Sequence, residues 1–288
     1  MVSIKRGKND ILGDILLGLI FLFFMFPIYW VFTMAFKSDS DILIWPPKFI
    51  FSPTLAHFKA ILFNQLSEQS VGATTTVNYL GYFKNSLIVS ISAVLISLAV
   101  GIPAAYAFAR YNFKGRENLF FNFLTFRFAP EMLVIIPIYL IYQRLGLYDT
   151  YTGLIWVYQL ITLPMIIWIL RGYFEDVSAD LEDAGLLDGY SRLNIAARIV
   201  LPIVKPGIAA TSLLTFIYAW NNFIFGMILG GTGVQPVTVA ALQFISADKL
   251  RFGDMAAASI LAALPIIILA VYTQKYLIRG LSLGAVKQ

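Results

Sequence analysis

Six runs of largely uncharged, apolar residues dominate the chain, at approximately Ile11–Phe36, Tyr82–Ala109, Leu119–Tyr142, Gly153–Leu170, Pro206–Leu229 and Met255–Ile278. A helix needs about 20 such residues to cross the hydrocarbon core of a bilayer. Inside that core every backbone amide must find its partner within the protein, so only helices and closed barrels survive there. The runs are continuous, whereas barrel strands alternate apolar and polar residues, so helices are the expectation. Composition agrees: 59% of the 288 residues are apolar and 13% are charged, with mean hydropathy +0.78. So few charges cannot clothe a water-facing surface. The first run is too long for a signal-peptide core and is followed by Lys37-Ser38-Asp39-Ser40-Asp41 rather than a cleavage site, so it reads as a retained span. The predicted fold class is an all-α integral membrane protein with six transmembrane helices.

Six spans place both termini on one side. That side carries Lys5, Arg6, Lys8, Arg110, Lys114, Arg116, Arg171, Arg192, Arg198, Lys205, Lys275, Arg279 and Lys287. The other carries only Lys37, Lys48, Lys59, Lys84, Arg144, Lys249 and Arg251. Short loops rich in Lys and Arg stay in the cytoplasm. The chain therefore divides into a cytoplasmic N-terminus (1–10), a six-helix domain (11–278) and a cytoplasmic tail (279–288). Its long cytoplasmic loop is 171–205, and residues 37–81 and 230–254 form the larger outer segments.

The 171–205 loop is amphipathic. Ser178 can cap a short helix with Asp180 in its first turn, and Gly189 fits that helix's end. Ser191 can cap a second helix, with Leu193, Ala197 and Val200 at helical spacing and Pro202 ending or bending it. The joint, Leu186-Leu187-Asp188-Gly189-Tyr190, offers an apolar and aromatic knuckle to the cytoplasm. Such a knuckle either docks into a partner or lies on the lipid headgroups.

The spacing here has a specific likeness. Asp183-Ala184-Gly185, then Gly189, then Ile199, Leu201 and Pro202 match step by step the cytoplasmic signature of ABC importer membrane subunits: Glu-Ala-Ala, three residues, Gly, nine residues, Ile, any residue, Leu-Pro. Asp183 stands for the family Glu and Gly185 for the second Ala, and Glu182 precedes them. Ala107-Phe108-Ala109-Arg110-Tyr111 before Phe113-Lys114-Gly115-Arg116 resembles the first cytoplasmic loop of the carbohydrate importers. Ile136–Tyr139, Leu145–Thr150, Trp220-Asn221-Asn222-Phe223 in the fifth run and the tail from Gly280 to Lys287 also resemble the corresponding parts of the carbohydrate importers. Together these resemble the permease subunit of a bacterial carbohydrate ABC importer, in particular the smaller membrane subunit of maltose-type importers.

The resemblance implies a type I importer permease in the cytoplasmic membrane of a bacterium or archaeon. It implies a homologous second permease subunit, two ATPase subunits that hold ATP and Mg²⁺, and an extracytoplasmic solute-binding protein. Glu182, Asp183, Ala184, Gly185, Leu187, Asp188, Gly189, Tyr190 and Pro202 would then form the ATPase-coupling surface. The tail would also reach the ATPase, and the 230–254 loop would probe the binding protein.

Several negatives come from the residues themselves. No Gly-x-x-x-x-Gly-Lys-Ser/Thr occurs, so this chain has no phosphate-cradling P-loop. Gly230-Gly231-Thr232-Gly233 lacks the lysine and reads as a flexible hinge. There is no cysteine and one histidine, His57, read as a solvated side chain of an outer loop. No cofactor, nucleic-acid or catalytic role is expected for the chain itself; its solvent is the lipid bilayer.

Polar groups within the spans are the candidate path. Arg127 and Glu131 lie four residues apart, and charges at this depth cost several kcal/mol unless paired or facing water. They form either a neutralising pair or a path-lining gate, and Pro130 between them can kink the helix. Asn221 and Asn222, with Tyr218 and Trp220 beside them, either bond between helices or line the sugar path. The rival reading is an ion-coupled secondary transporter that uses Arg127 and Glu131. It would need no ATPase.

Overall fold

The computed structural model describes residues 8–64, 77–128, 130–245 and 251–284; side chains are described for all of these except residues 8–12, 127 and 275–284. Among the described residues the protein is helical. Five helices are long and apolar enough to cross a membrane, and a bent pair supplies the sixth candidate. Two compact units are formed: Met1–Tyr79 with Ala241–Leu261, and Leu80–Ala240 with Ala262–Gln288.

The first unit contains α1 (Lys8–Met34), the short helices α2 (Asp39–Leu43) and α3 (Ala56–Leu62), and the head of the last long helix. α1 is apolar around its whole circumference and its span is not buried within the chain, as suits a helix solvated by lipid. After a turn over residues 35–37, Ser38 is extended and caps α2, accepting from the Asp41 amide at 3.3 Å.

The second unit is built on α4 (Tyr79–Arg110), the pair α5 (Arg116–Phe128) and α6 (Glu131–Leu145), and α7 (Tyr151–Glu175). It continues through α8 (Ala179–Leu187), α9 (Arg192–Ile195), α10 (Leu201–Asn221) and α11 (Ile224–Leu229). The short α12 (Val237–Ala240) follows, and α13 (Phe252–Gly284) closes the described chain. Thr150 caps α7 through the Gly153 amide at 3.0 Å, and Gly146, at φ +66°, ends α6. α7 lies at the centre, packed by α10 on one side and α5 on another. Ala105, Ile166, Leu170, Phe174, Val177, Ile195, Val200 and Val204 form one buried cluster joining α4, α7 and the start of α9–α10.

Three boundaries differ from the sequence reading. The third run is not one helix: α5 and α6 are bent by 91° across the break before Pro130. Pro130 is extended at the N-cap of α6, and its ring nitrogen has no hydrogen to donate. The fifth run is displaced toward its N-terminus. Helix runs from Arg192 through to Asn221, and Asn222 turns extended before α11. Pro202 therefore neither ends nor sharply breaks the second loop helix. A π-turn over Ala196–Val200 precedes it, with the Leu201 amide donating to the Ala196 carbonyl. The wider turn lets the helix pass through a residue that lacks an N–H. Pro137, Pro164 and Pro265 all sit inside helices.

Candidate functional site

The cytoplasmic knuckle is built by capping chemistry. Ser178 accepts from the Asp180 amide at 3.3 Å and starts α8. At its end Gly189 has φ +82°, a conformation that L side chains adopt only under strain. The Gly189 amide donates to the Leu186 carbonyl and the Tyr190 amide to the Gly185 carbonyl, both at 3.0 Å. This paired 5→2 and 6→1 arrangement is a Schellman end. Ser191 then accepts from the Asn194 amide at 3.3 Å and starts α9. The result is a tight reversal whose apolar side chains point outward: Leu187 is 91% exposed and Leu193 83%. Asp183, Ala184, Asp188, Gly189 and Tyr190 are exposed beside them, and Pro202 is exposed farther along.

Glu182 and Gly185 face the other way. Glu182 is clamped by the Arg110 guanidinium at 2.5 Å and by the Tyr106 hydroxyl at 2.7 Å, and Arg110 also donates to the Val177 carbonyl at 2.6 Å. Gly185 is buried; a Cβ there would lie 3.0 Å from Ile195 Cγ1 and 3.1 Å from Ile199 Cδ1. The departure from the family's second Ala thus has a packing reason. The buried face of the second loop helix is Ile195 and Val200 with Ile199 beside them, while Leu193 and Ala197 are exposed. The expected Leu193, Ala197, Val200 stripe fails because the π-turn rotates the helix face.

A cavity of about 520 Å³ opens in the second unit where α6, α7, α10 and α11 meet. Glu131, Tyr218, Asn221 and Asn222 line it, with Ile161, Ile217, Phe223 and Ile224. Asn222 Nδ2 donates to Glu131 Oε1 at 3.0 Å. The other Asn222 atoms are also used: Oδ1 accepts from the Phe225 amide at 3.2 Å, and its carbonyl accepts from Thr238 Oγ1 at 2.9 Å. Asn221 bonds its own helix at Ile217 and stays exposed. One Asn therefore makes the interhelical bond and both line the space. Trp220 does not join them. Its indole donates to the Ala262 carbonyl at 3.1 Å, its ring packs on Phe216 and Phe83, and it is 2% exposed. Its position one residue from Asn221 puts it about 100° around the helix, into the core. The Arg127 side chain lies outside the described residues, so of the two charges read as a pair or a gate only Glu131 is placed, accepting from Asn222.

Other clusters were not read from the sequence. Asp149, at φ +55°, accepts backbone N–H groups of Gly233 at 2.9 Å, Val234 at 3.1 Å and Thr232 at 3.4 Å. Asn85 donates to the Gly233 and Gln235 carbonyls and receives the Tyr151 hydroxyl at 2.6 Å. The glycine run expected to be a hinge is therefore a fastened loop. A Cβ on Gly231 would come 2.4 Å from Asp149 Cγ, so its glycine serves close approach. His57 is the second correction. It is fully buried, with Asp254 2.7 Å from Nδ1 and the Lys37 carbonyl 2.9 Å from Nε2. Its neighbours lie 197 and 20 residues away, beyond any local pattern. Residues 65–76 of the 37–81 segment, residues 246–250 of the 230–254 segment and the ends of the chain lie outside the described residues. Among the described residues no group of three His, Asp or Glu could hold a metal ion.

Residues 97–283, which include α7 to α11 and the knuckle, match the family described as the binding-protein-dependent transport system inner membrane component. The chain belongs to that family of ABC transporter permease subunits. It is 34% identical to the diacetylchitobiose uptake system permease protein DasC of Streptomyces coelicolor, covering 93% of this chain and 94% of that one. It is 32% identical to the trehalose/maltose transport system permease protein MalG of Thermococcus litoralis, covering 96% and 95%. Among solved structures, a chain of a bacterial ABC transporter that imports the acidic polysaccharide alginate superposes with TM-score 0.74 at 22% identity, covering 95% of this chain and 99% of that one. The fold is that of ABC importer permeases.

Proposed function

We propose that the protein is the membrane-spanning permease subunit of an importer that carries a sugar or sugar-like solute into the cytoplasm, driven by ATP hydrolysis in separate subunits. In this reading it pairs with a homologous second permease, stands on two ATPase subunits that bind ATP and Mg²⁺, and receives solute from an extracytoplasmic binding protein. The names of the diacetylchitobiose and trehalose/maltose relatives support the sugar class. Both termini then lie in the cytoplasm, in keeping with the lysine and arginine bias. The chain carries out no chemistry of its own.

The observation that carries the coupling role is the knuckle: Leu187 and Leu193 stand exposed on a reversal fixed by the Ser178 and Ser191 caps and the Gly189 turn. Nothing in packing requires two leucines in water, so they suit a groove in a partner. The clamped Glu182 would pass motion of that partner to α4 and, through the buried cluster, to α7 and α10, as a rigid-body shift. The cavity at Glu131, Tyr218, Asn221 and Asn222 would supply hydroxyl-bonding groups to the path.

Co-purification tests the docking. Leu187→Asp, set in the full complex, is expected to lower ATPase recovery at least tenfold while the two permeases stay paired. Undiminished ATPase recovery would overturn the assignment. The family membership gives no support to the ion-coupled rival.

A further inference from the structure

We infer that His57 is a proton-binding site: it is held as the doubly protonated imidazolium and fastens three separate stretches of the first unit together. Both ring nitrogens face acceptors. Nδ1 is 2.7 Å from Asp254 Oδ1, and Nε2 is 2.9 Å from the Lys37 carbonyl oxygen, with Asp39 Oδ1 3.8 Å away. A neutral imidazole has a single N–H and would leave one of these close contacts between two lone pairs. Only the cation donates to both. The ring is fully buried, so water cannot take over the abandoned bond.

The surroundings are arranged for that cation. The second Asp254 oxygen is taken by Arg251 Nε at 2.6 Å, which keeps the carboxylate ionised and turned. The charged groups facing the site from its elements are Asp254 and Arg251 at the head of α13, and Asp39 and Lys37 after α1. The Lys37 ammonium points away over Trp30 at 4.3 Å and Phe51 at 5.1 Å, so its charge rests on ring faces. Gly253 lets the ring in: a Cβ there would stand 2.2 Å from Nε2. Burial alone would push the imidazole down. The Asp254 hydrogen bond and charge, the Lys37 carbonyl and Asp39 oppose it, and the net displacement is upward from the ordinary 6.5.

A group raised on folding contributes its full stability below pH 6.5 and loses it as pH climbs through the higher folded value. Acid therefore tightens the junction of Lys37, His57 and Asp254, and alkali loosens it. The chemistry is independent of the importer reading and its test is separate. His57 is the sole histidine of the chain. The chain, grown with ¹⁵N-histidine and assembled with unlabelled partner subunits, gives a single imidazole whose nitrogen shifts follow pH. Both nitrogens are expected to be protonated in a larger share at pH 7 than the roughly one quarter of a free imidazole, with a midpoint above 6.5. A midpoint at or below 6.5, or a single neutral tautomer at pH 7, would overturn the inference. In parallel, the unfolding temperature of the complex is expected to fall from pH 6 to pH 9 more steeply than in His57→Gln. Equal slopes in the two proteins would also count against it.

Discussion

Two residues show how far a side chain's meaning depends on what approaches it. Gly189 is at the C′ position of α8, where φ +82° is required. Gly189→Ala forces a Cβ into that region at a cost of about 1 to 2 kcal/mol. The expected outcome is a lower unfolding temperature of the complex, together with weakened ATPase recovery, because the knuckle's two leucines are aimed by this turn. Asp149 is the opposite case: nothing local marks it, yet three backbone amides of residues 232–234 converge on it. Asp149→Ala removes the acceptor of the exposed Thr232 and Gly233 amides and of the part-buried Val234 amide, which keeps the Gly230 carbonyl, so the loop loses its fastening at no more than about 1 kcal/mol per bond. Limited proteolysis of intact complex is then expected to cut near Gly230–Val234 at least several-fold faster than in the wild type, with no change in cutting elsewhere. Gly189 was legible because a glycine just past a capped helix has a known use. Asp149 was not, because the carboxylate and the glycines it holds are 83 to 85 residues apart.

Helices make a different demand, since they must be both apolar and correctly ended. Hydropathy found the apolar runs, because lipid selects for length and apolarity irrespective of neighbours, but the third run is a bent pair and the fifth is shifted toward its N-terminus. Ends were harder. Proline at 130 was expected to kink a helix and instead separates two, while proline at 202 was expected to end or bend a helix and is passed by a π-turn. Proline chemistry is the same at both places. The difference lies in packing, because Ile195 and Val200 are buried on α7 and hold the π-turn in place. The α8 helix shows the same lesson in its charges. Glu182, expected on the coupling surface, is the strut between α8 and α4 through Arg110 and Tyr106. Arg110→Gln removes the charge that holds a half-buried carboxylate. The ATPase should still bind, since Leu187 and Leu193 are untouched. Solute moved per ATP consumed is expected to fall several-fold in proteoliposomes, because the knuckle then yields before α4 follows. A parallel loss of ATPase binding would show that the strut shapes the docking surface rather than transmitting from it.

At the level of the whole molecule the question is where the driving force enters. The chain has a cavity with one described carboxylate, Glu131, bonded to Asn222, and a knuckle suited to a partner. An ion-coupled carrier needs a group in the path that gains and loses charge with each cycle. An ATP-driven permease needs only that the wall keep its shape. Glu131→Gln separates these demands. Glutamine keeps an acceptor oxygen for the Asn222 amide but cannot ionise. ATP-driven uptake by the assembled complex, with its binding protein, is expected to retain at least half the wild-type rate in Glu131→Gln. Glu131→Ala, which drops the bond that ties α6 to the turn between α10 and α11, is expected to lose most of it. Loss of uptake in Glu131→Gln equal to that in Glu131→Ala would mean that the charge itself is used, and the motor would then have to be sought in the membrane rather than beneath it.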